Sequence, residues 1–596
     1  MCGIVAIYCY SSQQEVNRAE LLRIRERMKT RGPDGAGEWY SGDNRVGFGH
    51  RRLAIIDVSE TGAQPMVSEN GNNIIVFNGE IYNYQSLRAD LEAKGYRFRS
   101  TSDTEVLLHL YAEKGSAMLD DLRGMFAFAI WDEKRKGLFL ARDPFGIKPL
   151  YYSDDGKTFR AASQVKALLA GGEIDMTPEP AGHVGFFLWG HVPEPYTLYK
   201  GIRSLRAGSF MWIDKNGRKS LKRYSSIPGI FAEAEKSVTV LHRKDMAERL
   251  RDALLDTVRH HLIADVPVGF FLSGGMDSAT LVALAAEIGK SRVNTVTLGF
   301  REYVDTHDDE TPLAALVANS CHTSSQTIWV SKEDFRNEID HIVNAMDQPT
   351  TDGVNSYFVS KAAVMSGLKV AISGLGGDEL FGSYPSFEQI PRMVSLLWSF
   401  RYIPFIGKGF RLVSSQVLGH FTSPKYAGLL EYGGSYGGAY LLRRGMYMPW
   451  ELPAILDGDV VKEGWGELQT LIRLEDTTKG IHDSYLKVSS LEVCWYMRNQ
   501  LLRDMDWASM AHSLEVRVPF VDMTLLHALC PLFFAPHRLD KRDMASTPQH
   551  PLPHELLTRG KTGFSVPVQQ WLSADNGTMG ERGLRGWAKK VYGGFC

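Results

Sequence analysis

The stretch Pro267-Val-Gly-Phe-Phe-Leu-Ser-Gly-Gly-Met-Asp-Ser278 decides the architecture of the larger part of this chain. Residues 267–272 are a short apolar run that reads as a buried strand. The run Ser273-Gly-Gly-Met-Asp-Ser278 follows without a break and opens a predicted helix over 279–288. Small residues there let a ligand approach the backbone, and N–H groups at a helix start attract anions. Gly269 and Gly274 make a superficial Gly-x4-Gly, but no Lys-Ser/Thr follows, so this is not a Walker loop. A second apolar strand is predicted over 293–298. A third, over 370–372, again ends in Ser-Gly, at Ser373 and Gly374. Strands alternating with helices predict an open parallel α/β sheet, with ligands beyond the carboxyl ends of its strands. A long amphipathic helix over 244–261 precedes this unit, and 385–535 reads as mostly helical.

Upstream the texture differs. Residues 1–210 are dense in Gly and Pro turns between short β-branched and aromatic runs at 3–8, 52–58, 73–77, 125–131, 137–141 and 149–152. Runs bounded in this way predict strands, hence a sheet-rich domain. Helical spacing breaks in over 85–94 and 104–114. The predicted organisation is a first domain over 1–215, a linker over 216–240, an α/β domain over 241–575 and a loose tail over 576–596.

The 596 residues give room for several domains with sizeable cores. Hydrophobic residues are 44% and charged residues 23%, which excludes a disordered or collagen-like chain. Lys and Arg number 67 against 69 Asp and Glu, so no basic field recruits nucleic acid. The six cysteines form no CxxC pair, which argues for a reducing compartment and against a disulfide framework or zinc ribbon. Residues 393–413 come nearest to a membrane span, but Arg401, Lys408 and Arg411 interrupt them. They read instead as a half-buried helical region, with no membrane partner. The N-terminus lacks the features of a signal peptide, so a cytoplasmic location is expected.

Cys2 directly follows the initiator Met. Removal of Met1 leaves a cysteine whose own α-amine, with a pKa near ~8, can act as base for its thiol. An isolated Cys is usually just a small buried hydrophobe. Here it has company. Arg31-Gly-Pro-Asp34 is a turn with opposed charges, and His50-Arg-Arg-Leu-Ala-Ile-Ile-Asp57 places guanidinium groups suited to a planar carboxylate. In Phe77-Asn-Gly-Glu-Ile-Tyr-Asn83, the Asn78 amide and the Gly79 N–H can form an oxyanion hole. Glu80 and Asp103 can hold an α-ammonium. The ligand implied is an amino acid with a side-chain carbonyl. In the later unit, Asp277 and Asp378 offer carboxylates to a hard cation.

Met-Cys-Gly-Ile, Arg-Gly-Pro-Asp, Asn-Gly-Glu-Ile-Tyr-Asn and Arg142-Asp-Pro-Phe-Gly-Ile-Lys-Pro-Leu-Tyr-Tyr152 together resemble the class II glutamine amidotransferase domain, an N-terminal-nucleophile αββα sandwich. That resemblance implies Cys2 as nucleophile, Asn78 and Gly79 as oxyanion hole, and Arg52 on the glutamine carboxylate. It also implies Glu80 and Asp103 on the amine, with Ile55 and Ile56 lining the pocket. Ser273–Ser278 resembles the pyrophosphate loop of ATP pyrophosphatases, which implies ATP held by Leu272, Ser273, Gly274, Gly275, Asp277, Ser278, Leu298, Ser373 and Gly374. Mg2+ would sit on Asp277 and Asp378. In this order the two domains resemble the glutamine-hydrolysing asparagine synthetases, from residue 2 to about 572. The implied substrates are glutamine, ATP and an acceptor carboxylate, with aspartate first. Lys561 matches the family lysine that reaches the acyl-adenylate. A homodimer is among the assemblies this allows. One residue departs: those synthetases carry a Glu where this chain has Leu375. Leu takes no proton, so either another group substitutes, with Tyr384 offering a hydroxyl, or the acceptor is a sugar acid, a peptide or a secondary metabolite. A β-lactam-forming cyclase is disfavoured by the intact Cys2 constellation.

Overall fold

Strand Gly3–Cys9 is buried along its whole length because both its faces are covered. Ile4, Ala6 and Tyr8 point into one core, and Val5, Ile7 and Cys9 into another. This is the period of two of a strand with layers on both sides. The computed structural model describes residues 2–11, 14–237, 242–289, 292–421, 423–534, 538–559, 567, 571 and 583–595.

Two six-stranded antiparallel sheets build the first domain. One runs in the order Arg203–Ser204, Tyr151–Asp154, Thr158–Ala162, Gly3–Cys9, Val46–Arg52, Gly35–Tyr40. The other runs Lys219–Arg223, Ser209–Ile213, Gly137–Arg142, Gly124–Asp132, Asn73–Ile81, Met66–Val67. Phe48 and Ala6 from the first sheet meet Val76, Ala129 and Leu140 from the second in one buried layer. Helices Arg18–Arg27 and Val165–Gly171 cover the outer face of the first sheet. Tyr84–Ala93 and Asp103–Lys114 cover that of the second. This is the expected αββα sandwich.

The second unit carries a five-stranded, fully parallel sheet. Its order is Ser324–Val330, Asn294–Phe300, Val268–Phe271, Val370–Ile372, Glu515–Arg517. The strand order therefore reverses between Val268–Phe271 and Val370–Ile372. That switch point is where an open parallel sheet leaves a crevice for a ligand. The two strands flanking it run into Ser273 and Ser373.

Several expectations need correction. The stretch 216–240, read as a linker, carries strand Lys219–Arg223 of the second sheet and helix Ile227–Ala234, whose Ile227 and Phe231 are buried. The run 52–58 is not a strand, because the pairing partner of Gly3–Cys9 is Val46–Arg52, just before it. The tail is not loose over its described part. Helix Leu584–Gly593 buries Trp587, Ala588 and Val591, and Arg585 pairs with Glu451 at 2.9 Å. The region 393–413 is not half-buried: Leu396 is 78% and Phe405 83% exposed. Among the described residues no helix is long and apolar enough to cross a membrane.

Candidate active sites

Cys2 sits at the mouth of strand Gly3–Cys9 in the first sheet. Asn78 and Gly79 lie on Asn73–Ile81 in the second sheet. The sandwich brings them together: the Cys2 N–H donates to Asn78 Oδ1 at 3.0 Å. Asn78 Nδ2 is buried and has no hydrogen-bond partner among the described residues. A buried donor without a partner is costly, and in a cleft it marks a place held for a ligand oxygen. Gly79 is required sterically, since a Cβ there would lie 2.1 Å from the Met125 carbonyl oxygen. Burial pushes the Cys2 thiol pKa up, and the positive N-terminus, more than the Arg52 guanidinium, works against this.

Of the remaining candidates, the Glu80 and Arg52 charges act on the Cys2 thiol. Arg52 donates to the carbonyls of Ser59, at 2.6 Å, and Asp57, which pins the guanidinium against the 57–62 loop. Ile55 and Ile56 are buried beside Leu53. Glu80 is buried, and burial with the nearby Glu515 and Asp103 charges pushes its carboxyl well above the carboxylate range. Burial also raises Asp103, to about 6, although its Oδ2 accepts the Ile81 N–H at 3.0 Å. A cation that approaches these carboxyls favours their charged form, as Arg517 already does 3.5 Å from Glu80.

The second constellation assembles at the switch point. Leu272, Ser273, Gly275, Asp277, Ser278, Leu298, Ser373 and Gly374 line one cavity of about 250 Å³. Gly274 belongs to the same loop but not to the cavity wall. Ser278 Oγ, on the first turn of helix Met276–Ile288, accepts the Ser273 N–H at 3.2 Å and closes the loop. The two glycine-rich loops touch: a Cβ on Gly377 would lie 2.4 Å from Asp277 Oδ1. Asp277 and Asp378 therefore converge. Between them lies the Lys541 ammonium, 2.5 Å from Asp277 Oδ2 and also bonded to Asp378 Oδ1. Two carboxylates converging on one cation are the donor chemistry that a hard metal ion also uses. Among the described residues no group of three His, Cys, Asp or Glu is placed to hold a metal by itself.

Carboxyl groups with displaced proton affinity line the same cavity. Burial first, and the Asp378 charge next, push Glu379 up to about 8. Its Oε1 accepts the Tyr384 hydroxyl at 2.9 Å. Burial and Asp352 push Asp504 up to about 7. Leu375 lies in the same wall. Lys561 lies outside the described residues.

The two sites are joined by buried charge. Arg31 Nε donates to the Cys2 carbonyl at 3.1 Å, and its other nitrogens hold Asp506 at 2.7 and 3.1 Å. Arg517, fully buried on the last strand of the parallel sheet, binds Glu515 at 2.7 Å and lies 3.5 Å from Glu80.

Comparison with known proteins follows the same division. The glutamine amidotransferase domain family matches residues 1–225, and the asparagine synthase family matches residues 249–587. Asparagine synthetase [glutamine-hydrolyzing] 1 of Bacillus subtilis is 34% identical over 598 residues, covering 96% of this chain and 88% of that protein. Asparagine synthetase [glutamine-hydrolyzing] 3 of the same organism is 30% identical, covering 96% and 89%. The chain belongs to the glutamine-hydrolysing asparagine synthetase family. Amidase chry2 of Gibberella zeae is also similar, 31% identical over 415 residues that span 65% of this chain and 60% of that protein.

Within this asparagine synthetase family fold, sequence reading missed Lys541 and Asp352, and it gave Asp504, Glu515 and Arg517 no individual role. The sequence holds no special signal for Lys541, one of two adjacent cations in Asp540-Lys-Arg-Asp543. The opposed charges of Arg31-Gly-Pro-Asp34 were a visible signal. Their partners lie 335 and 475 positions away, where Asp34 meets Lys369 and Arg31 meets Asp506.

Proposed function

We propose that this protein makes asparagine from aspartate, with glutamine as nitrogen donor and ATP as the energy source. The observation that carries it is the buried, unpartnered Asn78 Nδ2 beside Cys2 in a chain whose five-stranded parallel sheet ends in a cavity lined by the Ser273 and Ser373 loops. The Cys2 thiolate attacks the glutamine carboxamide, its α-amine taking the proton. Asn78 Nδ2 and the Gly79 N–H stabilise the oxyanion. The α-ammonium gives its proton to the leaving nitrogen, so collapse releases ammonia and leaves a thioester, which water hydrolyses to glutamate and the free thiol. Arg52 holds the glutamine carboxylate, and Glu80 and Asp103 hold its ammonium.

At the switch point the aspartate side-chain carboxylate attacks the α-phosphorus of ATP, giving an acyl-adenylate and pyrophosphate. Ser273–Ser278 and Ser373–Gly374 cradle the phosphates. Asp277 and Asp378 would hold Mg2+, which would neutralise the departing pyrophosphate. Ammonia attacks the acyl carbon and AMP leaves. A proton must come off the attacking nitrogen, and Leu375 cannot take it. Glu379 can, since a carboxyl poised at about 8 is ionised enough to accept it and basic enough to want it.

The deciding experiment supplies ATP, Mg2+, glutamine and aspartate and follows pyrophosphate and asparagine in one tube. Equal formation of both supports the reading. Glutamine cleavage without aspartate-dependent pyrophosphate sinks it and points to another carboxylate. Two variants refine it. Asn78→Ala removes one oxyanion donor, so glutamine hydrolysis falls by about 10²–10³-fold in kcat with ammonia use retained. Glu379→Gln keeps ATP–pyrophosphate exchange but loses amide formation. In the wild type, glutamine-driven asparagine formation rises as pH approaches about 8, because the ionised carboxylate is the base. In Glu379→Gln that rise is gone.

A further inference from the structure

Two features outside both sites carry independent proposals. The first is a cavity of about 320 Å³ at the seam between the domains, a volume within the range of small-molecule sites, roughly 300–1,000 Å³. Four guanidinium groups line it: Arg206 and Arg223 from the first domain, Arg473 from helix Thr470–Thr478 and Arg498 from the π-helix Glu492–Leu502. Among the described residues none of the four is in an ion pair. Arg498 donates only to the carbonyls of Phe145 and Pro144, at 3.0 and 3.3 Å, and Arg473 only to that of Glu194. The two acids in the wall do not balance them: Glu194 is claimed by Arg142, which leaves Asp476. Burial, then Arg206, depresses Arg473, and burial, then Arg498, depresses Arg223. Helix Ile227–Ala234 also begins in this wall, at Ser226.

Arg206 and Arg223 are exposed at the cavity rim, Arg473 also lies over the Trp495 ring, and four guanidinium groups facing one space without a carboxylate partner offer forks that match phosphate oxygens. We propose that this cavity binds a phosphate-bearing anion, at a site separate from the Ser273 loop. The π-helix that supplies Arg498 also presents Trp495, Tyr496 and Gln500 to a second cavity of about 780 Å³, which shares Asp352, Asp378 and Tyr384 with the phosphate-loop cavity.

The test is calorimetric titration of the full chain with inorganic pyrophosphate, and separately with AMP, without magnesium. The wild type shows two sites for at least one of them, and the ligand that fills the second names its source. Arg206→Gln/Arg223→Gln keeps the loop site and weakens the second by about tenfold or more. A single site in the wild type, or identical binding in the double variant, overturns the proposal.

The second feature is the stretch from 396 to 413. Among the described residues, 20 large apolar side chains are exposed, and nine of them fall in this short stretch. Helix Pro404–Phe421 packs the wrong way round for a soluble protein. Its inward face carries Gly407, where a Cβ would lie 2.7 Å from Glu431 Cα, and Arg411, which donates to Glu431 at 2.7 Å. Its outward face carries Phe405, Leu412 and Val413, with Trp398 and Leu396 just before it. From 389 to 430 the sequence has five Lys and Arg and no Asp or Glu.

An outward apolar face with Trp and Tyr at its edge and basic residues alone around it matches an anionic bilayer surface in both hydrophobicity and charge. We infer that this stretch seats the protein on an anionic lipid surface without spanning it. The expectation of no membrane partner rested on hydropathy alone, which detects spans. The stretch leads into Ser423 and Lys425, which line the 780 Å³ cavity.

Co-sedimentation of the full chain with phosphatidylcholine vesicles, with and without phosphatidylglycerol, tests this. The wild type pellets with the anionic vesicles, and salt weakens it. Phe405→Ser/Leu412→Ser/Val413→Ser binds about tenfold less or weaker still, while its melting temperature stays put because the side chains are already exposed. Equal partitioning of wild type and variant overturns the inference. So does a wild type that ignores vesicles but self-associates through the patch, since a second copy then covers it.

Discussion

Cys2→Ala is expected to abolish asparagine formation from glutamine while leaving formation from ammonia within about twofold of wild type. The thiol is the only group proposed to bond to the glutamine carbonyl carbon. Loss of a covalent nucleophile costs roughly four orders of magnitude or more in kcat. Alanine fits the space, because it only removes a sulfur whose one polar contact is a long 3.9 Å approach to the Leu53 carbonyl. The Cys2 N–H stays bonded to Asn78, so the fold around the site persists. Amide product is measured with each nitrogen source under saturating ATP and aspartate. Parallel loss of both activities would sink the division of labour between the two domains.

Asp277→Asn and Asp378→Asn should each produce the converse. ATP–pyrophosphate exchange falls by about 10³-fold, equivalent to several kcal/mol of charge stabilisation at the phosphates. Glutamine hydrolysis continues. The pair converges on a single cation, Lys541, so each substitution also leaves that ammonium with one carboxylate instead of two. Lys541→Met separates the roles. Where Asp277 and Asp378 act by holding Mg2+, the Met variant still needs magnesium for exchange. Exchange that survives in both Asn variants would remove the carboxylate pair from the reaction.

The parts legible from sequence are those where local chemistry and the fold agree. The strand Val370–Ile372 was placed to the residue, and the loop at Ser273 was bracketed correctly by strand and helix. Both are short apolar runs followed by glycine, with no competing reading. The strand Glu515–Arg517 was not legible. A Glu-Val-Arg triplet reads as a solvated helix face, yet all three residues are buried. Its charges are satisfied by each other and by Glu80, some 435 positions earlier, and no local pattern encodes that. The edge strand Ser324–Val330 was missed because its side chains are mostly exposed, so it lacks the apolar signature of its neighbours. The helix over 404–421 misled for the opposite reason. The helix is there, but its apolar side chains face outward, while Gly407 and Arg411 pack inward.

The buried contacts between Arg31 and Asp506 and between Arg517 and Glu80 have a consequence for how the molecule comes apart. Side chains on both sides are almost wholly inaccessible, with Arg31 at 1% and Asp506 at 6%. Separating the halves takes Asp506 from Arg31 and Arg517 from Glu80, although Arg517 keeps Glu515 at 2.7 Å; losing one partner of a buried pair costs about 3–5 kcal/mol where the other charge stays buried. The two domains should therefore melt in one cooperative transition, not two. An excised 1–225 fragment would carry Arg31 and Glu80 without their partners and collect in the insoluble fraction. Glutamine hydrolysis in this chain is thus tied, by folding itself, to the presence of the unit that consumes its ammonia.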